Sequence, residues 1–217
     1  MLLDNQAATM LKLQDQMNAK VNPEWLAVKS PFLRAVVIEG SEAIEHHGWK
    51  WWKKQQCDLE QLQMELVDIW HFLLSAVLIE YDGSQSAAQT RVMAEIEGHE
   101  VEFDGDTYIF AELDLLQKLE LLIGLSAARR INIGLFTTLL VDCQMSWTDL
   151  YTQYICKNVL NFFRQDYGYK EGTYIKVWQG KEDNEHLVEI MAHLDATDAA
   201  FQDNLYQALT DRYQALN

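Results

Sequence analysis

The sequence predicts an all-α fold, a helical bundle that carries one less regular inserted segment. Only two prolines, Pro23 and Pro31, occur in the chain, and both lie before residue 32. Because proline breaks helices, nearly all of the remainder is open to helix formation. Beyond Pro31, apolar residues recur at helical rather than alternating spacing. With 217 residues, 49% of them hydrophobic, we expect one all-α domain over residues 1–217.

Three helices are predicted in the first part of the chain. The first covers about residues 5–18, where methionine and leucine recur at helical spacing. The second is expected to begin with Ser30 as its N-cap and Pro31 in its first turn, positions that suit these residue types. The third covers about residues 57–81, and one side of it carries Leu62, Leu66, Ile69, Leu73 and Val77.

Helical periodicity weakens between residues 81 and 106, where Asp82-Gly83-Ser84, Gly98 and Gly105 interrupt it. We expect an insertion or a lid here, with a short helix at about residues 87–96. Periodicity then returns and predicts five more helices, at about residues 110–125, 132–143, from 148 onward, 184–194 and 198–216. The last two are expected to serve packing and assembly.

Charge and composition argue against several kinds of partner. The chain has 17 basic and 33 acidic residues, a formal net charge of −16, which repels nucleic acid and anionic membranes at long range. Its longest apolar stretch, around residues 72–79, is far shorter than the roughly 18 residues that span a bilayer, and its N-terminus lacks the pattern of a signal peptide. Cys57, Cys143 and Cys156 are too widely spaced to indicate a disulfide framework. We therefore expect a cytoplasmic protein.

Two acidic pairs are the first candidate functional feature. Glu39 and Glu42 lie three residues apart on the second predicted helix, and Glu65 and Asp68 repeat that spacing on the third. If these helices pack side by side, four carboxylates converge, and oxygen-only ligands of this kind suit a hard cation such as Mg²⁺. The alternative is that the acids lie on solvated helix faces, but both pairs continue apolar stripes that should face inward.

Basic side chains form a second candidate feature. Lys157, Asn161 and Arg164 share one face of a predicted helix, which is conspicuous in an acidic chain. Arg164 could bind phosphate oxygens bidentately, whereas Lys170 and Lys176, on the loop that follows, could close over an anion. The alternative is a solvated basic face that pairs with acidic neighbours.

Taken together, these motifs resemble the dimeric, all-α dUTPase family within the all-α NTP pyrophosphatase superfamily. Glu39-x-x-Glu42, a gap of 22 residues and Glu65-x-x-Asp68 are similar to the superfamily's metal signature. The resemblance continues in four further segments: Leu13-Gln14 with Asn18, Trp49-Lys50-Trp51-Trp52-Lys53, Asp68-Ile69-Trp70-His71-Phe72, and residues 157–184.

The resemblance implies roles for the charged residues. Glu39, Glu42, Glu65 and Asp68 would bind Mg²⁺, and Glu39 is the candidate general base, with Glu42 second. The residues that would hold the phosphate chain are Lys157, Arg164, Tyr169, Lys170 and Lys176. Among these residues, Arg164 is best suited to stabilise the transition state, and Tyr169 would contribute a hydroxyl.

Recognition of uracil and deoxyribose is implied for a second set of residues: Gln14, Asn18, Trp49 or Trp52, His71, Phe72 and Asn161. Amides suit uracil, which offers two carbonyl acceptors and one N–H. Without the resemblance, His71 would be interpreted as a core histidine and the tryptophans as packing or interface residues.

The expected activity is hydrolysis of dUTP, and also dUDP, to dUMP by a Mg²⁺-dependent homodimer. One alternative is a related enzyme that cleaves another nucleotide, such as dCTP or a damaged NTP. A second is a non-enzymatic acidic helical interaction protein, which would not need the basic motif. A ferritin-like di-iron site would require paired Glu-x-x-His motifs, and only Asp68-x-x-His71 comes close.

Overall fold

The computed structural model describes residues 1–194, 198 and 200–215. The predicted all-α fold is confirmed, because helices dominate the described residues. They are α1 (Asp4–Val21), α2 (Trp25–Val28), α3 (Phe32–His47), α4 (Leu59–Glu80), α5 (Gln85–Glu95), α6 (Leu115–Ala127), α7 (Ile133–Asp142), α8 (Trp147–Asp166), α9 (Asp183–Met191) and α10 (Phe201–Gln214). Two small antiparallel hairpins pair β1 (Glu100–Phe103) with β2 (Asp106–Ile109) and β3 (Val177–Trp178) with β4 (Lys181–Glu182).

Helix α4 is the centre of the bundle, and α1, α3 and α8 all pack against it. The apolar stripe predicted on this helix is fully buried, and Trp70 adds a stacked contact with Phe136 of α7 at 4.9 Å between ring centroids. By length and composition α4 could cross a membrane, but 72% of its most apolar window is buried inside the fold. Its hydrophobicity is therefore used in the core.

Several predicted helix boundaries needed correction. Ser30 does not cap the second long helix, because α3 begins at Phe32 with Pro31 at the N-cap position and has no side-chain cap. Asp58 caps α4 by accepting from the backbone N–H of Gln61. The helix predicted from residue 110 is divided, since a single 3₁₀ turn (Phe110–Glu112) precedes α6, which begins after a capping box at Asp114.

The last two helices are shorter than predicted, spanning Asp183–Met191 and Phe201–Gln214, and the predicted end at Leu216 lies outside the described residues. Both pack near α8, since α9 and α10 contact that helix and each other.

The segment between residues 81 and 106 packs against the bundle, and its status as an insertion stays a prediction. Its helix α5 lies against α1, where Ala88 and Val92 are fully buried. Asp104 and Gly105 both adopt positive φ and form the two-residue turn between β1 and β2. Phe103 of this hairpin approaches Gly124 of α6. Closure of the segment over a substrate stays a prediction.

Candidate active site

The two acidic pairs meet where α3 packs against α4. Glu39, Glu42 and Glu65 each offer a carboxylate oxygen, and these three oxygens lie within 4.8 Å of one another. Asp68 lies one helical turn beyond Glu65, and its charge acts on both Glu39 and Glu65. The expected convergence of the two helices is therefore present in the structure, with Glu39, Glu42 and Glu65 grouped most tightly.

Burial and mutual repulsion shift the titration of this acid cluster. Burial, followed by the charges of Asp68, Glu65 and Glu42, raises the pKa of Glu39 to about 8. Burial, followed by the charges of Asp68 and Glu42, raises the pKa of Glu65 to about 7. Like charges that are held together in this way favour the protonated form unless a cation compensates them.

The chemistry of these donors fits a hard divalent cation. All of them are carboxylate oxygens, and oxygen-only ligation is what Mg²⁺ prefers. The imidazole of His46 lies beside the cluster, with its Nε2 3.3 Å from Glu65 Oε1, where it pairs with one of the acids.

Helix α8 places its predicted basic face beside the acids. Lys157 is buried, and its Nζ lies 2.9 Å from Asp68 Oδ2 and 3.1 Å from Asn184 Oδ1. The ammonium therefore offsets part of the negative charge of the cluster while facing the same cavity as Glu39 and Asp68.

Arg164 does not present the free bidentate fork that the sequence suggested. Its Nε donates to Asp183 Oδ2 at 2.7 Å and its Nη2 to Asp183 Oδ1 at 2.8 Å. Its Nη1 donates to Asn161 Oδ1 at 3.1 Å. Asp183 was missed in the sequence because it lies 19 positions away on another helix, and a single aspartate carries no spacing signal.

The two loop lysines make different contacts. Lys176 Nζ pairs with Glu182 Oε2 at 2.9 Å. Lys176 also lines the cavity beside the acid cluster, which we call the acid-side cavity. Lys170 Nζ donates to the carbonyl oxygen of Val21 at 2.7 Å, which joins the loop to the end of α1. Within the described residues, Lys170 lines neither this cavity nor the cavity next to it, which is floored by amide side chains.

An amide network forms the floor of a neighbouring cavity of about 450 Å³. Gln14 Oε1 lies 2.7 Å from His71 Nδ1 and 2.8 Å from the Tyr154 hydroxyl. Gln14 Nε2 donates to Asn18 Oδ1 at 3.1 Å, and Asn18 Nδ2 donates to Ser75 Oγ at 3.0 Å. This chain of hydrogen bonds fixes which way each amide points.

His71 is held uncharged in this floor. Burial lowers its pKa to about 3, against a smaller opposing effect of Asp68. Because Gln14 Oε1 only accepts, the proton is on Nδ1, and Nε2 is a buried acceptor without a hydrogen-bond partner in the described residues. The imidazole also stacks on Tyr154 with 4.0 Å between ring centroids.

Aromatic side chains form a wall of the same cavity. Phe72 stacks with Phe32, and Trp25 meets Phe32 edge-on, with ring centroids 6.4 and 6.3 Å apart. Trp25 and Phe32 were not predicted as site residues, because a tryptophan in a loop and a phenylalanine at a helix start resemble ordinary core positions.

The tryptophan-lysine segment lies elsewhere. Trp49, Trp51 and Trp52 contact one another, and Trp51 is 87% exposed. Trp49 also donates from Nε1 to Glu45 Oε1 at 2.7 Å. Within the described residues of one chain, neither Trp49 nor Trp52 lines the amide-floored cavity.

The two cavities meet at a shared wall. The amide-floored cavity and the acid-side cavity, of about 490 Å³, are both lined by Glu39, Asp68, Lys157, Arg164 and Tyr169. A ligand with a planar polar group at one end and negatively charged oxygens at the other would fit across this wall, because amides line one side, and the acid cluster with the buried Lys157 lies on the other. An all-α fold with such a site defines a class of helical enzymes that act on nucleoside phosphates.

A family model described as dUTPase matches residues 6–169. The chain therefore belongs to the all-α dUTPase family, and it is a hydrolase that acts on dUTP. The match includes the acid cluster, the amide floor and all of α8, and ends before Lys170, Lys176 and Asp183. No curated protein matches the chain.

Proposed function

We propose that the protein is a Mg²⁺-dependent diphosphohydrolase that converts dUTP, and also dUDP, to dUMP with release of pyrophosphate or phosphate. The observation that carries this proposal is the shared wall between the amide-floored cavity and the acid-side cavity. The base would occupy the first cavity and the phosphate chain would cross into the second.

Glu39, Glu42, Glu65 and Asp68 would hold the cation. When bound, Mg²⁺ offsets negative charge on the phosphate oxygens and makes phosphorus more electrophilic. Glu39 lines both cavities and is the proposed general base that accepts a proton from the attacking water, with Glu42 as the second candidate. Burial and the neighbouring acids raise the pKa of Glu39 to about 8, so the positive charge of a bound cation would favour the basic form that this role requires.

Basic residues would offset the charge of the phosphate chain. Lys157 is positioned at the shared wall by Asp68 and Asn184. Arg164 lines the same wall, and its Nη1 donates to Asn161. Tyr169 also lines the wall and would contribute its hydroxyl. Lys170 and Lys176 belong to the loop that would close beside the phosphates.

Uracil and deoxyribose would be read by the amide-floored cavity. Gln14, Asn18, His71 and Phe72 line it, together with Asn161. Fixed amide orientations favour one pattern of donors and acceptors, which is how a pocket distinguishes uracil from cytosine. The bare Nε2 of His71 would accept a hydrogen bond from the bound nucleoside.

We further propose a cytoplasmic homodimer that acts on free nucleotides rather than on a nucleic-acid polymer or at a membrane. The net charge of −16 supports the absence of binding to nucleic-acid polymers and anionic membranes, because it repels both at long range. Exposed Trp51 and Trp52 would be shielded in a dimer, and Trp49 or Trp52 could then contact nucleotide in a neighbouring subunit.

The first test is a substrate panel of dUTP, dUDP, UTP, dCTP and dTTP, each with Mg²⁺ and with EDTA. Metal-dependent release of phosphate or pyrophosphate from dUTP and dUDP alone is expected. Turnover of dUTP but not of dUDP would refute the proposed activity on dUDP. Turnover in EDTA would refute the proposed dependence on Mg²⁺. Preference for another nucleotide would refute the pocket assignment.

The cation site has its own test in Glu65→Gln. Loss of a ligand should lower Mg²⁺-dependent turnover at least about a hundredfold, because even changes outside the ligand shell commonly cost 10–100-fold. Glu60→Gln is the matched control, since Glu60 is exposed in the first turn of the same helix. Equal activity of the two variants at saturating Mg²⁺ would contradict the assignment.

A further inference from the structure

Asp183 is a buried carboxylate beyond the matched family region, and it contacts three parts of the chain. It accepts two hydrogen bonds from Arg164 of α8 through separate oxygens, Oδ1 and Oδ2. Tyr174, in the loop between α8 and α9, donates its hydroxyl to Oδ2 at 2.8 Å. The backbone N–H of Asp183 donates to the carbonyl oxygen of Lys176 at 3.0 Å. One fully buried side chain therefore connects α8, α9 and the loop between them.

The carboxylate remains charged in this position. Burial alone would raise the pKa of Asp183, but the hydrogen bonds and charge of Arg164 outweigh burial and hold the pKa below its ordinary value. A buried carboxylate is tolerated when its oxygens are satisfied in this way. Arg164 is correspondingly immobilised, with four of its N–H groups engaged by Asp183, Asn184 and Asn161.

A guanidinium has five N–H donors. The remaining donor of Arg164 is on Nη1, the nitrogen that bonds Asn161, and both Arg164 and Asn161 line the amide-floored cavity. Asp183 thus fixes the guanidinium in one orientation at the wall that the two cavities share, with one N–H of Nη1 still available to a ligand. A phosphate that displaced Asp183 to take the whole fork would leave a fully buried carboxylate without a cation, which is strongly unfavourable.

We propose that Asp183 is a positioning residue for the hydrolysis: it fixes the guanidinium of Arg164 at the wall shared by the two cavities, where the phosphate chain would pass. The proposal rests on the proposed function, in which Arg164 stabilises the transition state. Asp183 itself is not expected to touch substrate, because its two oxygens are occupied by Arg164 and Tyr174.

A double-mutant cycle tests this assignment. Asp183→Asn, Arg164→Ala and the double variant are compared for kcat and KM with dUTP and for thermal unfolding. Asp183→Asn is expected to lower kcat by about 10–100-fold with a smaller change in KM, the size of a lost charge-assisted hydrogen bond. In the Arg164→Ala background the same change should have almost no further effect on kcat, because residues that act as a unit are not additive.

Two further variants separate positioning from general loosening. Tyr174→Phe removes the other hydrogen bond to the same carboxylate without touching Arg164, and it is expected to keep kcat near the wild-type value. Asp183→Glu retains the charge, and its kcat should fall between those of wild type and Asp183→Asn. If Asp183→Asn does not fold, Asp183→Glu takes its place in the cycle, and a loss of kcat that is equal with and without Arg164 overturns the proposal.

Equal losses of kcat from Asp183→Asn in the wild-type and Arg164→Ala backgrounds would also overturn it. If the wild-type protein does not hydrolyse dUTP, the proposed function fails, and the same cycle is then measured as binding of Mg²⁺-pyrophosphate by calorimetry. The positioning role would still be supported if Asp183→Asn weakens pyrophosphate binding in the wild-type background and has no effect on it in the Arg164→Ala background. Wild-type protein that binds no pyrophosphate would refute it.

Discussion

Lys157 Nζ lies 2.9 Å from Asp68 Oδ2, and this contact joins α8 to the acid cluster of α3 and α4. The lysine side chain is only 4% exposed and that of Asp68 is 21% exposed. A buried lysine of this kind is stable only when a carboxylate compensates it, and Asp68 in turn lies beside Glu39 and Glu65. The pair therefore couples the basic and acidic halves of the site.

Lys157→Met tests this coupling. Because the change leaves Asp68 without its cation beside other acids, we expect at least about a hundredfold loss of dUTP turnover. The free energy of unfolding should fall by up to about 3 kcal/mol, since one partner of a largely buried pair is removed and solvent reaches the other. Chemical denaturation and steady-state kinetics measure the two effects.

The chain offers a matched control in Lys118, whose side chain is 8% exposed and whose Nζ lies 2.6 Å from Asp142 Oδ2, between α6 and α7. Lys118→Met should destabilise the protein by a comparable amount and retain turnover in the folded fraction. Equal losses of turnover in the two variants would mean that Lys157 acts only through stability.

The acid cluster makes stability depend on pH. The folded-state pKa is raised from 4.5 to about 8 for Glu39 and to about 7 for Glu65. The folded form therefore holds protons that the unfolded form has lost, so stability falls as the pH rises through 7 and 8. Below pH 6.5 His71 acts in the opposite sense, since burial lowers its pKa to about 3. The informative window is thus pH 6.5–8.5.

In EDTA, the melting temperature should fall across that window by at least about 2 °C, the shift that about 1 kcal/mol produces in a chain of this size. Saturating Mg²⁺ should raise the melting temperature more at pH 8.5 than at pH 6.5, because protons compete with the cation for the carboxylates. Scanning fluorimetry provides the measurement. The same slope in Glu39→Gln as in wild type would show that the dependence arises elsewhere.

The grouping of the acidic residues was predictable from sequence, whereas the contacts of Arg164 were not. Glu39, Glu42, Glu65 and Asp68 are separated along two helices by the helical repeat, so a local pattern determines that they share the α3–α4 contact. Arg164 finds Asp183 only because the loop after α8 folds back and α9 begins at that point. No periodicity in the chain specifies such a return.

Helix boundaries show the same limit. Asn132 was predicted as the start of a helix and caps α7, because an asparagine before an apolar run is a local signal. Ser30 carried a similar signal and does not cap, since the backbone at Pro31 leads directly into α3 at Phe32. Phe32 became a pocket residue by stacking on Phe72, which is distant in sequence, and Trp25 did so by its edge-on contact with Phe32.

Tyr154→Phe tests whether the amide floor reads the base. The Tyr154 hydroxyl lies 2.8 Å from Gln14 Oε1 and 2.9 Å from the Met10 carbonyl oxygen, and it is fully buried. Its loss frees Gln14 to rotate, so KM for dUTP should rise several-fold with kcat little changed, and stability should fall by about 1 kcal/mol. Discrimination between dUTP and dCTP should weaken as well.

Tyr151→Phe, a half-buried position on the same helix, is the control for removal of a tyrosine hydroxyl. It is expected to leave KM unchanged. A Tyr154→Phe variant with wild-type KM and wild-type discrimination would show that His71 and Asn18 suffice to hold Gln14.

Gly40 controls how closely the helix of the first acidic pair approaches its neighbour. It lies between Glu39 and Glu42 on α3, and a Cβ built there would be 2.9 Å from Ile123 Cγ1 of α6. Gly40→Ala must therefore displace α3 or Ile123. Alanine favours a helix over glycine by up to about 1 kcal/mol, but overpacking costs about 1–3 kcal/mol, so we expect a net loss of stability.

The displacement should also move Glu39 and Glu42 relative to Glu65, which lowers Mg²⁺-dependent turnover and raises the Mg²⁺ concentration needed for half-maximal rate. Ile123→Ala removes the atom that clashes, so in that background Gly40→Ala should be neutral or stabilising. The double variant should also have the same Mg²⁺ dependence of turnover as Ile123→Ala alone. This reversal of sign identifies the contact as the cause, because a change in helix propensity alone would have the same sign in both backgrounds. Thermal unfolding and Mg²⁺ titrations are compared for wild type, the two single variants and the double variant. A destabilisation by Gly40→Ala that persists in the Ile123→Ala background would refute the role of the close contact between α3 and α6.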